Sequence, residues 1–282
     1  MDYQTRLKQA AEALAEAEII LVGAGAGLSS AAGLEYSGPR FTANFAPFIA
    51  RYGFTDMYTA GFYPFKTQEE FWAYWARHIS LNRFEPPAEP LYQELRKVIG
   101  TKDFFVITTN VDGQFLKAAF PDEKLFPVQG DYAYFQCAKA CHDRTYYNEE
   151  QVKAMVANTH ECRIPSGLVP VCPNCGGPMA VNIRKDQYFV QDKGWHEAQH
   201  RYQDTINLVL SRKAVLLEIG VGFNTPVIIR YPFEQIVFNN SQARLVRINR
   251  DYPEGSPDNI DRTLSFGENI LEVISSLSET SQ

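Results

Sequence analysis

The sequence predicts an α/β fold, a doubly wound, Rossmann-like parallel sheet with a small cysteine-bearing module inserted in it. Three observations lead there. Short, wholly apolar runs recur along the chain and alternate with helical stretches, the pattern of parallel strands buried on both faces. The first of these runs opens into "VGAGAGLSSAAG", where Gly23, Gly25 and Gly27 fall within five residues. Between about residues 130 and 190 the alternation stops, and the chain becomes rich in Cys, Pro and Gly.

Taken in order, residues 2–17 place Ala10, Ala11, Leu14 and Ala17 at helical spacing. "EIILVGAG" then reads as a buried strand. "TQEEFWAYWARHISLNRF" (67–84) reads as a helix capped by Thr67, and "AEPLYQELRKVIG" as another stopped by Gly100. "DFFVITTN" (103–110), "AVLLEIGVG" (214–222) and "ARLVRIN" (243–249) supply three more strands, and an amphipathic helix over roughly 267–278 closes the chain. The expected division is a nucleotide-binding domain formed by 1–130 and 190–282, with 131–189 as the insert.

Composition narrows the function classes. With 282 residues the chain is long enough for one large domain with an insert. A net charge of -6 argues against a broad nucleic-acid surface. No apolar run approaches the roughly 20 residues of a membrane helix. The amphipathic "MDYQTRLKQAAEALAEAE" does not read as a signal peptide, so a cytoplasmic protein is expected.

A strand that ends in closely spaced glycines and enters a helix is how α/β folds bind a dinucleotide pyrophosphate: bare backbone admits the phosphates, and the helix N-terminus presents free N–H groups. The loop is not a clean GxGxxG, since Leu28 stands where a third glycine would follow Gly25 and Gly27. Tight strand–helix packing would demand the same glycines.

The cysteines carry a stronger signal. Cys137 and Cys141 form C-x3-C, and Cys172 and Cys175 form C-x2-C in "CPNCGG". Two such pairs supply the four thiolates of a tetrahedral, structural Zn(II). Cys162 is left over as a plain buried or free thiol. One further pattern competes: "HEAQH" (196–200) matches HExxH, with His196 and His200 on one helix face and Glu197 as base, the arrangement of a zinc peptidase. The following helix offers no characteristic third ligand, and Glu218, at a plausible distance, lies within a buried strand. A polar helix face is the preferred reading of the match.

Together these segments, in their order, resemble the sirtuin family from about residue 18 to 275. The family's GAG-x-S loop appears as Gly25-Ala26-Gly27-Leu28-Ser29, leading to Ala32-Gly33-Leu34. Its T-Q-N-I-D segment appears as Thr108-Thr109-Asn110-Val111-Asp112-Gly113, its late G-T-S turn as Gly220-Val221-Gly222 followed by Asn224, and its strand-end asparagine as Asn249 before Arg250. The zinc-binding module sits at the family's position.

The departures point to a branch of the family. Sirtuin deacylases carry a His-Gly pair shortly before the first cysteine, and that histidine deprotonates the NAD ribose. Here the pair is Gln129-Gly130, and a glutamine takes no proton at neutral pH. The family's P-D-F-R reads Glu35-Tyr36-Ser37-Gly38, without the arginine, and the T-Q-N glutamine is Thr109. "QYFVQDKGW" stands in place of the stretch that shapes the acyl-lysine channel. These losses are similar to those of the microbial class M sirtuins, which are linked to macrodomains and lipoate carriers.

That resemblance implies a protein ADP-ribosyltransferase that uses NAD+ and releases nicotinamide. It implies one structural zinc per chain, a lipoylated glycine-cleavage H-like carrier protein as acceptor, and a macrodomain hydrolase as functional partner. It places the pyrophosphate on the backbone N–H groups of Gly25, Ala26 and Gly27 with help from Ser29, and the adenosine end at Gly220, Gly222, Asn224, Asn249 and Arg250. Asn110 and Asp112 form the nicotinamide pocket, Gln129 orients the ribose, and Tyr36 joins the cofactor-binding set. Read from the residues alone, Asn110 could also be a turn residue and Asp112 a cap for the helix starting at Gly113. An NAD-dependent deacylase with a replacement base, or an NAD sensor without chemistry, remain the competing readings.

Overall fold

The computed structural model describes residues 1–280. Among the described residues nine strands form two sheets. In the large sheet, β1 (Ile19–Ala24), β2 (Asp103–Thr108), β3 (Leu125–Pro127), β7 (Ala214–Ile219), β8 (Arg244–Ile248) and β9 (Thr263–Phe266) lie in the order β3-β2-β1-β7-β8-β9. Every pairing in it is parallel. Strand order therefore reverses at β1, which pairs with β2 on one side and β7 on the other. Chain connections leave β1 and β7 in opposite directions, and the gap so formed beyond their carboxyl ends is where such sheets bind ligands.

The apolar runs become strands because each is covered twice. All six residues of β1 are buried. Ile20 and Val22 face a core with Leu14, Leu95 and Val273, while Ile19 and Leu21 face another with Phe105, Phe233 and Val237. This alternation is the period-two geometry of a strand buried on both faces. The helix Tyr3–Glu16 begins where Asp2 accepts the Thr5 N–H at 2.9 Å. The helix Pro90–Ile99 stops at Gly100, as expected.

Three features depart from expectation. The helix capped by Thr67 runs only over Gln68–Ile79, and Ser80–Phe84 continues it as a π-helical turn. An unanticipated helix, Gly38–Tyr52, is kinked at Phe45, just before Pro47. The two short edge strands β3 and β9 also escaped the sequence reading; at three and four residues they are shorter than any periodicity window.

The small sheet is antiparallel, with β4 (Gly130–Cys137) between β5 (Thr145–Tyr147) and β6 (Met179–Ile183). It does not fold on a core of its own. Phe135, Cys137, Cys172 and Val181 pack in one cluster with Phe41, Phe45, Trp72 and Tyr74 from the helices of 38–79. The second lobe is thus built from two chain segments, and it overhangs the end of β1. Among the described residues no helix is long and apolar enough to cross a membrane.

Candidate functional site

A cleft of about 790 Å³ opens beyond the carboxyl ends of β1 and β7. Its floor is the glycine loop with Gly25, Ala26 and Gly27, and one end is walled by Gly220, Gly222, Asn224, Asn249 and Arg250. Gln129 and the Arg184-Lys185 pair reach it from the small lobe, and Glu35, Tyr58 and Phe62 stand at its rim. Segments far apart in sequence meet in one concavity.

The loop glycines serve a specific contact. A Cβ on Gly27 would lie 2.7 Å from the Cα of Gly220, and one on Gly25 would lie 2.6 Å from the Gly220 carbonyl oxygen. Gly220 itself has φ +62°, a left-handed conformation that favours glycine. The missing side chains therefore let the turn after β1 nest into the turn after β7. The amides are committed to the same contact: Gly25 N–H donates to Ile219 O and Gly27 N–H to Gly220 O, each at 3.0 Å. Of the three amides expected to meet a pyrophosphate, that of Ala26 has no backbone partner of this kind. The bare backbone that does face open space is Gly222, where an added Cβ would meet nothing within 4 Å.

Behind the loop lies a buried polar network. Ser29 points away from the cleft: its Oγ hydrogen-bonds the Tyr92 hydroxyl at 2.9 Å and donates to Asp112 Oδ2. Asn110 donates through Nδ2 to the Gly25 carbonyl at 3.0 Å, and Asp112 Oδ1 accepts the Gln114 N–H at 3.0 Å. Asp112 is thus both a cap and a network member. Burial pushes its carboxyl above the usual carboxylate range, against the pull of the Ser29 hydrogen bond. Asn110 and Asp112 line a small cavity beside the main cleft, and the Asn110 bond to Gly25 ties that cavity to the cleft floor.

Gln129 differs from all of these. Its Oε1 is buried and has no hydrogen-bond partner. Its backbone is held firmly, since the Gln129 carbonyl accepts the Arg184 N–H at 2.9 Å. Next to it, Gly130 has φ +96° and lies against the Asn182 carbonyl, so the chain enters β4 without a side chain in the way. Gln129 also lines the cleft, so its amide is an unsatisfied polar group beside the space a ligand would fill.

At the far end, Asn249 spends its side chain on the wall. Nδ2 donates to Val221 O at 2.7 Å, and Oδ1 accepts the N–H groups of Asp251 and Tyr252 at 3.1 and 3.0 Å. Arg250 is exposed and pairs with Asp251 at 3.1 Å. The Tyr36 hydroxyl bonds that of Tyr132 at 2.9 Å; this continues through His78 Nε2, 2.9 Å from Tyr132, to the Tyr74 hydroxyl, 3.2 Å from His78 Nδ1. Tyr36 thus anchors the rim segment to the small lobe.

The four expected cysteines come together. Their Sγ atoms all lie within 4.8 Å of one another, with Cys137 and Cys175 at 3.8 Å and Cys141 and Cys172 at 3.6 Å. Four thiolates about 2.3 Å from a tetrahedral ion stand about 3.8 Å apart, so the donor set fits zinc. The second pair sits on a tight turn in which Gly176 N–H donates to Cys172 O and Cys172 N–H to Gly177 O. Cys162 is buried in the small-lobe core, away from the quartet.

The HExxH pattern makes no site. His196, Glu197 and His200 are exposed on the helix Lys193–Val209, and Glu197 pairs with Lys193 at 3.5 Å. Glu218 is fully buried in β7 on two arginines. Among the described residues the four cysteines are the only metal-ligating group of three or more, which removes the peptidase reading.

Several cleft residues went unnoticed in the sequence. Tyr58 and Phe62, 59% and 60% exposed and edge-to-face at 5.2 Å, belong to no motif that would single them out. Ser30, one residue beyond the expected Ser29, lines the cleft in its place. The signal for Arg184 and Lys185 was a basic pair just after an apolar run, which only a β4–β6 pairing brings to the cleft.

No family model matches the chain. It is 35% identical over 277 residues to a protein ADP-ribosyltransferase of Staphylococcus aureus (strain Mu50), covering 97% of this chain and 88% of that one. It is 34% identical over 257 residues to a probable bifunctional ADP-ribose hydrolase/ADP-ribosyltransferase of Fusarium oxysporum f. sp. cubense; that match takes in 87% of this chain and 42% of the fungal protein. Among solved structures, a Sir2 enzyme analysed for mechanism and regulation superposes with a TM-score of 0.60 at 18% identity, over 99% and 98% of the two chains. A Sir2 homologue solved with NAD gives 0.59 at 15% identity, over 97% and 93%. These likenesses establish the Sir2 fold, and with the bacterial relative in the same register over nearly the whole chain, the protein belongs to the sirtuin-like protein ADP-ribosyltransferases.

Proposed function

We propose that the cleft binds NAD+ and that the enzyme transfers ADP-ribose from it to a protein acceptor, releasing nicotinamide. The observation that carries this reading is the buried, unpartnered oxygen of Gln129 on the cleft wall. A ribose hydroxyl is the donor it lacks. The open backbone at Gly222 and the free amide side of Ala26 suit a pyrophosphate, and the fungal relative's name and the NAD complex of a Sir2 homologue support the same ligand. NAD+ supplies the ADP-ribosyl group; the residues of the chain bind, orient and screen it.

In this reading Gly222, Asn224 and Asn249 hold the adenosine end, and Gln129 accepts from the ribose and fixes its face. Asn110 and Asp112 shape the nicotinamide end through the Gly25 carbonyl and the Ser29–Tyr92 network. The Asp112 carboxylate lends negative charge where the sugar becomes cationic as the glycosidic bond weakens. The acceptor nucleophile attacks the ribosyl carbon directly, so the site needs positioning and water exclusion more than a proton acceptor. Among the described residues no histidine lines the cleft. This disfavours the deacylase, whose last steps need a base, a contribution of roughly 10²–10⁴ in rate.

The acceptor proposed is a lipoylated glycine-cleavage H-like carrier, and the partner a macrodomain hydrolase that removes the mark; the hydrolase half named in the fungal relative supports the second. Residues 131–189 act as the zinc-binding module, with one structural Zn(II) on Cys137, Cys141, Cys172 and Cys175. The test is incubation with labelled NAD+ and carrier proteins with and without lipoylation. ADP-ribose added to the lipoylated carrier, detected by mass spectrometry, is the expected result. Efficient removal of acetyl from lysine peptides with no such adduct would overturn it.

A further inference from the structure

Glu218 is fully buried in the middle of the sheet, and nothing in the proposed reaction uses it. It is not alone. Arg247 on β8, also fully buried, grips it with two bonds, Nε to Oε1 at 2.8 Å and a terminal nitrogen to Oε2 at 2.9 Å. Arg230, 4% exposed, approaches Oε1 at 3.5 Å. Arg247 also meets Glu234 at 2.8 Å. Removing such charges from water is expensive, and apolar side chains would fill the same space at no such cost. The arrangement calls for a reason beyond stability, and the outward contacts of the two arginines supply one.

Arg230 donates to the carbonyls of Tyr252 and Glu254 at 3.1 and 3.0 Å, and Arg247 donates to the Glu254 carbonyl at 2.6 Å. All three bonds hold the loop that follows β8 and carries Asn249, Arg250, Asp251 and Tyr252 along the cleft. The Arg230 guanidinium also lies 4.6 Å from the ring centre of Phe223, within the turn after β7 that carries Gly222 and Asn224. The Phe223 and Tyr252 rings in turn meet edge-to-face at 4.8 Å. One planar cation therefore touches both loops that wall this end of the cleft: hydrogen bonds hold the first and ring stacking the second. Glu218, anchored on β7, sets where that cation sits.

We propose that Arg230 is a positioning residue that couples these two loops, and that the Glu218–Arg247 pair is its buried base. It preorganises the wall that receives the adenosine half of the dinucleotide, so its effect falls on affinity for ADP-ribose. This rests on the reading of the cleft as the NAD+ site. Preorganisation raises affinity by removing the ordering cost from the binding step.

Lysine separates the two things Arg230 does. An ammonium can neutralise Glu218, but as a point charge it cannot stack on Phe223 and bond two carbonyls together. Arg230→Lys is therefore expected to unfold within a few degrees of the wild type, yet bind ADP-ribose roughly tenfold more weakly in calorimetry, the scale of one lost charge-assisted hydrogen bond. Phe223→Ala removes a half-exposed ring without disturbing the ion cluster, and should weaken ADP-ribose binding with the melting temperature unchanged. Wild-type affinity in both variants would overturn the inference while leaving the cleft reading intact. Failure of the wild type itself to bind ADP-ribose would overturn both. Should Arg230→Lys fail to fold, Phe223→Ala decides alone.

Discussion

The cysteine cluster and the cleft are both built from turns, but they are finished to different degrees. In the cluster each pair of ligands lies on its own local turn, and the four sulfurs already stand at tetrahedral separations. Four cysteines and no other ligating side chain make up the group, the donor set of a structural metal. In the cleft no two walls come from one turn. The glycine loop has spent the Gly25 and Gly27 amides on its neighbour, Asn249 has spent its side chain on Val221 and the following loop, and only Gln129 brings a buried polar atom with nothing to bond. The difference teaches which groups are scaffold and which face a ligand: a scaffold group is satisfied before anything binds.

The largest effect should come from breaking the closed site. Cys172→Ala removes a ligand that is also buried in the small-lobe core, and metal binding at such sites contributes about 10 kcal/mol or more to folding. Loss of zinc in elemental analysis, with insoluble protein, is expected. Cys162→Ala should keep about one zinc per chain, because its sulfur lies outside the quartet.

Gly27→Val tests the scaffold side of the cleft. Its Cβ would meet the Gly220 backbone at 2.7 Å, and backbone cannot step aside. A loss of about 3 kcal/mol or more in urea unfolding is expected. A stable variant that has lost only dinucleotide affinity would show that the glycine serves the ligand rather than the turn.

The small lobe also carries a pH signature. Burial pushes His78 down to about 3, between two tyrosine hydroxyls. In the unfolded chain it titrates near its ordinary value of about 6.5. Between those values the unfolded state binds a proton that the folded state refuses, so stability falls as the pH drops below about 6.5, by about 1.4 kcal/mol per unit from this residue. Thermal unfolding followed from pH 7 to 4 checks it, and His78→Gln should flatten the slope.

Smaller in stability but decisive for function is Gln129→Ala. Because the oxygen has no partner, its removal should leave urea unfolding within about 0.5 kcal/mol of wild type, or slightly stabilise the fold. ADP-ribosyl transfer should drop at least tenfold. A variant that is less stable and fully active would make Gln129 scaffold after all. Gln129→His should not create robust deacylation, since one base does not supply an acyl-lysine channel.

How much of this was legible depended on range. The α/β order, four of the strands and the cysteine quartet follow from local pattern: apolar runs need two covers, and C-x2-C or C-x3-C places two sulfurs on one turn whatever the rest of the chain does. HExxH is just as local but marks no site, because a peptidase needs a third ligand that only packing could bring. Likewise, the helix Gly38–Tyr52 hid behind Pro47 and a kink.

What the sequence by itself determined is the class of chemistry. Gln129 precedes a glycine that must bend, and four cysteines stand in two pairs; these are identities, and no packing alters them. Only the tertiary structure decided which of the named groups face the cleft. Ser29 turned inward to Tyr92 and Asp112, Ser30 took its place, and the loop glycines proved to serve the contact with Gly220. The physical reason is that a residue's exposure at a crevice between β1 and β7 depends on strands almost 200 residues apart in the chain coming into register. A polar atom is free for a ligand only when every nearer partner has been counted, and those partners are assigned when the sheet closes.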